Sequence, residues 1–263
     1  MAKTNFGQAA KSYTRSRDDI PVSFFESLNL RGISFEGKKI ADIGSGTGTL
    51  TRKLKLRKAD VIGVEPSAEM LDEAVRINLA RFEDIPYWHG TAEETGLEPY
   101  HFDMVTVFRA WHWFNREAAL KEMKRILKPM GKMIIADSGF LPGSLAVEAA
   151  FEVLESHLGQ NLKPAGSKAE SRQRINGFPV EWFAEWQENG FELRDFYKLD
   201  YEVMFSNEEW VDRIMSLSYF SGAPAEKRAD ISSLLLKRLH TQFGANESHT
   251  IPHACHVCIL ETF

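Results

Sequence analysis

The chain has 263 residues, 43% of them hydrophobic and 26% charged, which is enough apolar material for a large core without disulfide or metal staples. Its formal net charge of -5 argues against a nucleic-acid partner, because binding along a phosphate backbone needs clustered Lys and Arg. Two cysteines are too few for a disulfide framework, and no apolar stretch is typical of a signal peptide or a membrane span. We therefore expect a cytoplasmic protein that uses no membrane.

Residues 38–140 alternate short apolar runs with amphipathic helical stretches. Strands are predicted at 39–43, 60–65, 86–89, 102–108 and 132–137. Helices are predicted at 49–56, at 67–80 with an apolar stripe of Met70, Leu71, Ala74, Val75 and Leu79, and from Asn115 to Pro129. This order predicts a parallel sheet with right-handed crossovers.

Past residue 140 the alternation breaks down. Helices are predicted at 143–158, 179–189 and over most of 206–243, with a polar loop at 160–177 and long strands at 191–205 and 251–263. The helical material interrupts the last strands, as insertions into a sheet do.

A glycine-rich loop follows the first predicted strand, in the sequence Asp42-Ile43-Gly44-Ser45-Gly46-Thr47-Gly48. Glycines let the backbone turn sharply and approach a ligand, and the next helix directs its free N–H groups at that ligand. Glu65 ends the second strand, 21 residues after Gly44, where a carboxylate can accept hydrogen bonds from both ribose hydroxyls. This context favours nucleotide binding over a tight turn beside a solvated glutamate.

The spacing of this loop narrows the choice of ligand. It lacks the Gly-Lys-Ser/Thr of a phosphate-binding P-loop. Dinucleotide folds use Gly-x-Gly-x-x-Gly, whereas this chain has Gly-x-Gly-x-Gly followed by Thr49. The loop therefore indicates a ligand without a pyrophosphate, such as S-adenosylmethionine.

Five segments resemble the ordered motifs of class I S-adenosylmethionine-dependent methyltransferases: 40–50, 64–67 with Met70, 90–93, 102–105 and 127–132. Residues 110–114 resemble a segment of the small-molecule branch typified by trans-aconitate methyltransferase. The lead-in residues Phe6, Ala10, Tyr13 and Arg17 are similar to that branch as well. The resemblance covers residues 5–140 well and the rest in outline, and Met130 departs from it where the family usually has glycine.

The resemblance implies a role for each matching residue. The loop glycines and Asp42 would line the amino-acid end of the cofactor, Glu65 would bind the ribose, and Ser67 and Met70 would flank ribose and adenine. The predicted cofactor-binding set is Tyr13, Arg17, Asp42, Gly44, Ser45, Gly46, Gly48, Glu65, Pro66, Ser67, Met70, Thr91, Ala92, Glu93, Arg109 and Ala110. S-adenosylhomocysteine would be the product.

We predict an α/β fold with a Rossmann-like doubly wound sheet of seven strands, the last one antiparallel, and helical cap insertions. Residues 1–140 would form an N-terminal lid helix and the cofactor-binding core, and 141–178 an insertion of helix and loop. Residues 179–263 would complete the core sheet and carry a helical cap at about 206–245, over the edge where open α/β sheets bind ligands.

Methyl transfer from a sulfonium is an in-line displacement, so the enzyme mainly positions two reactants and excludes water. A general base helps only if the acceptor must lose a proton, and His112 after the fourth strand is the candidate. His112 could instead cover the cofactor. Arg109, beside the expected methyl group, and Tyr13, in the predicted lid, complete the predicted catalytic set.

The expected partner is a small-molecule acceptor, bound by a monomer or a homodimer. Arg17 or Arg109 could pair with an acceptor carboxylate, whereas the aromatic cluster Trp111, Trp113 and Phe114 could stack on a flat apolar compound or simply pack.

No metal is expected. His253, Cys255, His256 and Cys258 lie in a predicted strand, where His253 and Cys255 face one side and His256 and Cys258 the other. A nucleic-acid methyltransferase stays an alternative, although the fourth strand is followed by neither the Asp/Asn-Pro-Pro-Tyr/Phe motif nor a cysteine. A non-catalytic cofactor-binding protein is the other alternative.

Overall fold

The computed structural model describes residues 19–81, 84–159, 166–169, 171–220 and 223–263. Its helices are α1 (Val22–Leu30), α2 (Thr49–Lys55), α3 (Ala68–Arg81), α4 (Arg116–Ile126), α5 (Leu145–Leu158), α6 (Val180–Glu188), α7 (Asn207–Met215) and α8 (Ala225–Phe243). Its strands are β1 (Lys39–Ile43), β2 (Asp60–Glu65), β3 (Tyr87–His89), β4 (Phe102–Phe108), β5 (Leu127–Phe140), β6 (Arg174–Ile175), β7 (Phe178–Pro179), β8 (Phe191–Ser206) and β9 (Ser248–Thr262). Short 3-10 turns lie at Trp111–Trp113, Gly166–Ala169 and Ser218–Phe220.

Seven strands form one sheet in the order β3-β2-β1-β4-β5-β9-β8. Strands β1 to β5 pair in parallel. Strand β9 runs antiparallel to β5, since Thr262 near the end of β9 bonds to Lys128 near the start of β5. The predicted Rossmann-like sheet with an antiparallel last strand is confirmed, and its register sets Asp42 of β1 beside Thr106 of β4.

Several elements begin where the sequence did not predict them, among them the short strands β6 and β7 at and after the end of the predicted loop at 160–177. Helix α1 follows Pro21, and β5 starts at Leu127 rather than at 132, directly after α4. Met130 lies in β5 with a φ of 60°, a left-handed conformation that glycine adopts without strain. This conformation explains why the family that the sequence resembles usually has glycine at this position.

Helix α3 buries only part of the predicted stripe, at Met70 and Ala74. Val75 and Leu79 are 44% and 71% exposed, whereas Glu73 and Asn78 are buried. Each of these side chains has a polar partner, because Glu73 pairs with Arg76 at 2.7 Å and the Asn78 side-chain N–H donates to the carbonyl of Ile85 at 3.4 Å. Burial on this helix was therefore not decided by hydrophobicity alone.

The described residues fall into two compact units. Unit 1 holds Asp19, 139–159, 200–220 and 223–254, and helices α5, α7 and α8 enclose its core around Trp210. Unit 2 holds the described residues among 20–138, 166–199 and 255–263, and a core there includes Ala41 and Ile43 of β1 and Val105 and Val107 of β4 together with residues of α4 and α6. The predicted limits at 140 and 178 and the cap at about 206–245 stay predictions. Among the helices described, none is long and apolar enough to cross a bilayer.

Candidate functional site

The described residues of the predicted site meet at one edge of the sheet, within unit 2. The glycine loop follows β1, Glu65 ends β2, residues 90–93 follow β3 and residues 109–114 follow β4. Because β1 to β4 are parallel, these four segments all leave the sheet at its C-terminal edge. Tyr13 and Arg17, together with the rest of the predicted lid helix, lie outside the described residues.

The three glycines of the loop all have left-handed backbones, with φ of +70° at Gly44, +57° at Gly46 and +76° at Gly48. At Gly44 a Cβ atom would lie 2.6 Å from the Cβ of Ala110, so glycine is needed for the loops after β1 and β4 to approach. At Gly46 nothing lies within 4 Å of such an atom. The middle of the loop therefore faces open space.

Glu65 is tied to the glycine loop. One carboxylate oxygen accepts the N–H of Gly46 and the other the N–H of Ser67, each at 3.0 Å. Burial raises the pKa of Glu65, and these two N–H donors oppose that rise. The side chain predicted to bind a ribose is thus fixed in place by the loop that precedes it in the sequence.

Asp42 is a second carboxylate at this edge. It is buried and accepts hydrogen bonds from the hydroxyls of Thr51 at 2.6 Å and Thr106 at 2.8 Å. Burial raises its pKa to about 6, and the nearby charge of Glu65 adds to the rise. Two such carboxylates favour a ligand that carries positive charge.

The segment after β3 is joined to the start of α4. Glu93 accepts the N–H of Asn115 at 2.7 Å, and Asn115 caps α4 as predicted. Thr91 and Glu94 exchange hydrogen bonds across the turn, and Ala92 is buried. The Glu93 carboxylate, a member of the predicted cofactor-binding set, therefore also positions α4.

The residues that follow Glu65 in the chain are also held by hydrogen bonds. Ser67 caps α3 by accepting the N–H of Met70 at 3.3 Å, and Met70 is buried. The Pro66 carbonyl and the His89 ring lie 3.0 Å apart. The segment between β2 and α3 is thus held by Glu65 of β2 and by His89 of β3.

Arg109 turns the chain sharply after β4, with a φ of 58°. Its guanidinium is fixed by Ser138 at the end of β5, since Nε donates to the Ser138 hydroxyl at 2.9 Å and to its carbonyl at 3.1 Å. Strained backbones of this kind are concentrated at functional sites. Arg109 is therefore positioned by backbone and side chain alike.

His112 lies in the 3-10 turn that follows and is half-buried. Its carbonyl accepts a hydrogen bond from the Ser167 hydroxyl at 3.2 Å. Trp111 is buried, Phe114 lies beside Gly44, and Trp113 is 37% exposed. Of the aromatic cluster, Trp113 has the most exposed surface.

Sequence reasoning missed the residues that support the glycine loop, Asp42 and Arg109 through their contacts, namely Thr51, Arg52, Tyr87, Thr106 and Ser138. Thr106 could have been found from the register, because a polar residue inside the apolar run of β4 next to Asp42 needs a partner. Ser138 carries no comparable signal.

Comparison with known proteins gives a consistent result. The model of a family described as a methyltransferase domain matches residues 41–135. An uncharacterized methyltransferase of Mycobacterium tuberculosis is 35% identical over 129 residues, 49% of this chain and 50% of that protein, so the match spans about half the length of this relative. An uncharacterized methyltransferase of Schizosaccharomyces pombe is 30% identical over 201 residues, 76% of each chain.

Among solved structures, a putative type II methyltransferase from Anaeromyxobacter dehalogenans matches with a TM-score of 0.61 and 19% identity, over 92% of this chain and 95% of that one. At this identity the likeness concerns the fold alone.

Proposed function

Because the chain belongs to the class I S-adenosylmethionine-dependent methyltransferases, we propose that it binds this cofactor at the C-terminal edge of β1 to β4 and methylates a small-molecule acceptor. The observation that carries the proposal is the pairing of Gly46 with Glu65, in which a loop open to a ligand is fixed by the carboxylate suited to a ribose. The narrower resemblance to trans-aconitate methyltransferases stays a prediction.

Three features of the described residues support the fit to this cofactor. The open space at Gly46 admits a ligand close to the backbone. The carboxylates of Asp42 and Glu65 are suited to a ligand with an ammonium and a sulfonium group. The loop lacks the third-glycine spacing that a pyrophosphate needs. Of these features, the glycine spacing is the one that argues against a dinucleotide.

When bound, the cofactor supplies an electrophilic methyl group on sulfur. In this proposal the glycine loop and Asp42 hold its amino-acid end, Glu65 holds the ribose hydroxyls, and Met70 and Ala92 form apolar surface near the base. Positioning is the main catalytic contribution. His112 would accept a proton only from an acceptor that must lose one.

The acceptor is proposed to be a small molecule, either a carboxylate or a flat apolar compound. Arg109 supports the first class, because a guanidinium fixed by Ser138 is preorganised for an anion. The exposed face of Trp113 supports the second.

The cofactor is tested first by thermal unfolding with S-adenosylhomocysteine in one sample and NAD in another. A ligand at 100 times its Kd stabilises the folded state by about 2.7 kcal/mol, which raises the Tm of a chain this size by several degrees. We expect this rise with S-adenosylhomocysteine alone. A rise with NAD alone would replace the proposal with a dehydrogenase.

Glu65→Ala is expected to weaken S-adenosylhomocysteine binding by about 1–3 kcal/mol, because a charge-assisted hydrogen-bond acceptor is removed. The N–H groups of Gly46 and Ser67 lose their partner as well. Isothermal titration calorimetry measures the change. Glu117→Ala, which removes an exposed carboxylate on α4, is the matched control and should bind normally. Equal affinities in the two variants would mean that the ribose is held elsewhere.

A further inference from the structure

Tyr87 of β3 lies beneath the glycine loop. A Cβ atom at Gly48 would lie 2.0 Å from its hydroxyl oxygen, and one at Gly63 of β2 would lie 2.5 Å from its ring. Tyr87 therefore occupies the space that both glycines leave, and it reaches from the edge strand of the sheet to Gly48, the residue that precedes α2. The hydroxyl lies at the point where the loop turns into α2.

Arg52 of α2 reaches the same place from the other side. Its side chain is buried and donates a hydrogen bond from Nη1 to the carbonyl of Thr47 at 2.7 Å. The same nitrogen would lie 2.8 Å from a Cβ at Gly48. Arg52 thus fixes the last peptide of the loop before the helix begins.

We infer that Arg52 and Tyr87, here called the loop brace, are positioning residues that set the affinity of the glycine loop for the cofactor. The inference rests on the proposed function, since the loop has to be the cofactor site. A loop with three left-handed residues has many alternative conformations, and a ligand that needs one of them binds more weakly when that conformation is less populated. The brace acts by keeping the loop in the binding conformation.

The first test compares S-adenosylhomocysteine affinities by calorimetry in the wild type, Tyr87→Phe, Arg52→Met and Arg52→Lys. Arg52→Met should raise the Kd about tenfold, since the Thr47 carbonyl loses a charged donor. Tyr87→Phe should raise it about threefold, because the hydroxyl that fills the space beside Gly48 is removed and a small cavity is left there. Arg52→Lys, which keeps a donor, should recover part of the affinity. Tyr100→Phe is the matched control, because Tyr100 is 67% exposed and touches none of the loop residues named here.

Urea unfolding of the ligand-free proteins separates positioning from a merely structural role. A structural role would lower the unfolding midpoint and leave the Kd of the folded protein unchanged, which would overturn the inference. Failure of the wild type to bind S-adenosylhomocysteine would instead overturn the proposed function.

Discussion

Gly44→Ala is expected to prevent measurable binding of S-adenosylhomocysteine in a protein whose sheet still forms. Alanine in the left-handed conformation costs about 1–2 kcal/mol, and overpacking against the Cβ of Ala110, 2.6 Å away, costs roughly 1–3 kcal/mol more. The Cβ atom of Ala110 is fixed by its backbone and cannot move away from the new atom by a side-chain rotation. The loops after β1 and β4 must therefore separate, and the cofactor site opens with them.

Calorimetric titration together with far-ultraviolet circular dichroism measures the two parts of this prediction. Gly37→Ala is the matched control, because Gly37 has a φ of +69° and nothing within 4 Å of the added atom. It incurs the same backbone cost without the collision. If both variants bound S-adenosylhomocysteine equally well, the close approach of the loops after β1 and β4 would not matter for binding.

The sequence predicted the elements that depend on local chemistry. Strands β1, β2 and β4 were bounded correctly because their apolar runs end at polar or glycine residues. The left-handed glycines after β1 and the cap at Asn115 were equally visible, since each residue type has a specific backbone role. These features locate the candidate site without any knowledge of tertiary contacts.

The rest depends on contacts between distant segments. Thr106 binds Asp42 across 64 positions, and Ser138 holds Arg109 across 29, so both pairings required the register of the sheet. The burial of Glu73 in place of Leu79 depends on a partner, Arg76, whose effect a hydrophobic pattern does not include. Tyr87 has no distinguishing feature in the sequence, because its contacts with Gly48 and Gly63 are visible only in the folded chain.

Asp42→Asn is expected to stabilise the ligand-free protein by about 2–3 kcal/mol at pH 7, since burial raises the pKa of Asp42 from 3.8 to about 6 and each unit corresponds to about 1.4 kcal/mol. Above pH 6 the folded protein carries a buried carboxylate that the unfolded chain carries in water, so the charge opposes folding. As the pH falls from 6 towards 3.8, the folded protein takes up the proton first and the penalty disappears. The gain should therefore be largest above pH 6 and vanish near pH 4.

Urea unfolding of the two proteins from pH 4 to pH 8 measures this difference. The asparagine keeps one acceptor for a threonine hydroxyl and can donate to the other, so the contacts with Thr51 and Thr106 need not be lost. Asp60→Asn, at an exposed position on the same sheet, is the control and should show no comparable gain. A pH-independent difference would mean that the carboxylate is not the source of the penalty.

The same variant should bind S-adenosylmethionine about tenfold more weakly and S-adenosylhomocysteine less so, because only the first carries the sulfonium charge that a nearby carboxylate attracts. The wild type should lose this preference as the pH falls below 6, when Asp42 takes up its proton. The same charge on Asp42 would then oppose folding and favour binding of the cationic ligand. A substitution that removes the charge would therefore raise the stability of the protein and lower its affinity for S-adenosylmethionine. An equal loss for both ligands would mean that Asp42 does not act on the sulfonium, and would leave the ammonium group that both ligands carry, or the shape of the loop, as what Asp42 affects.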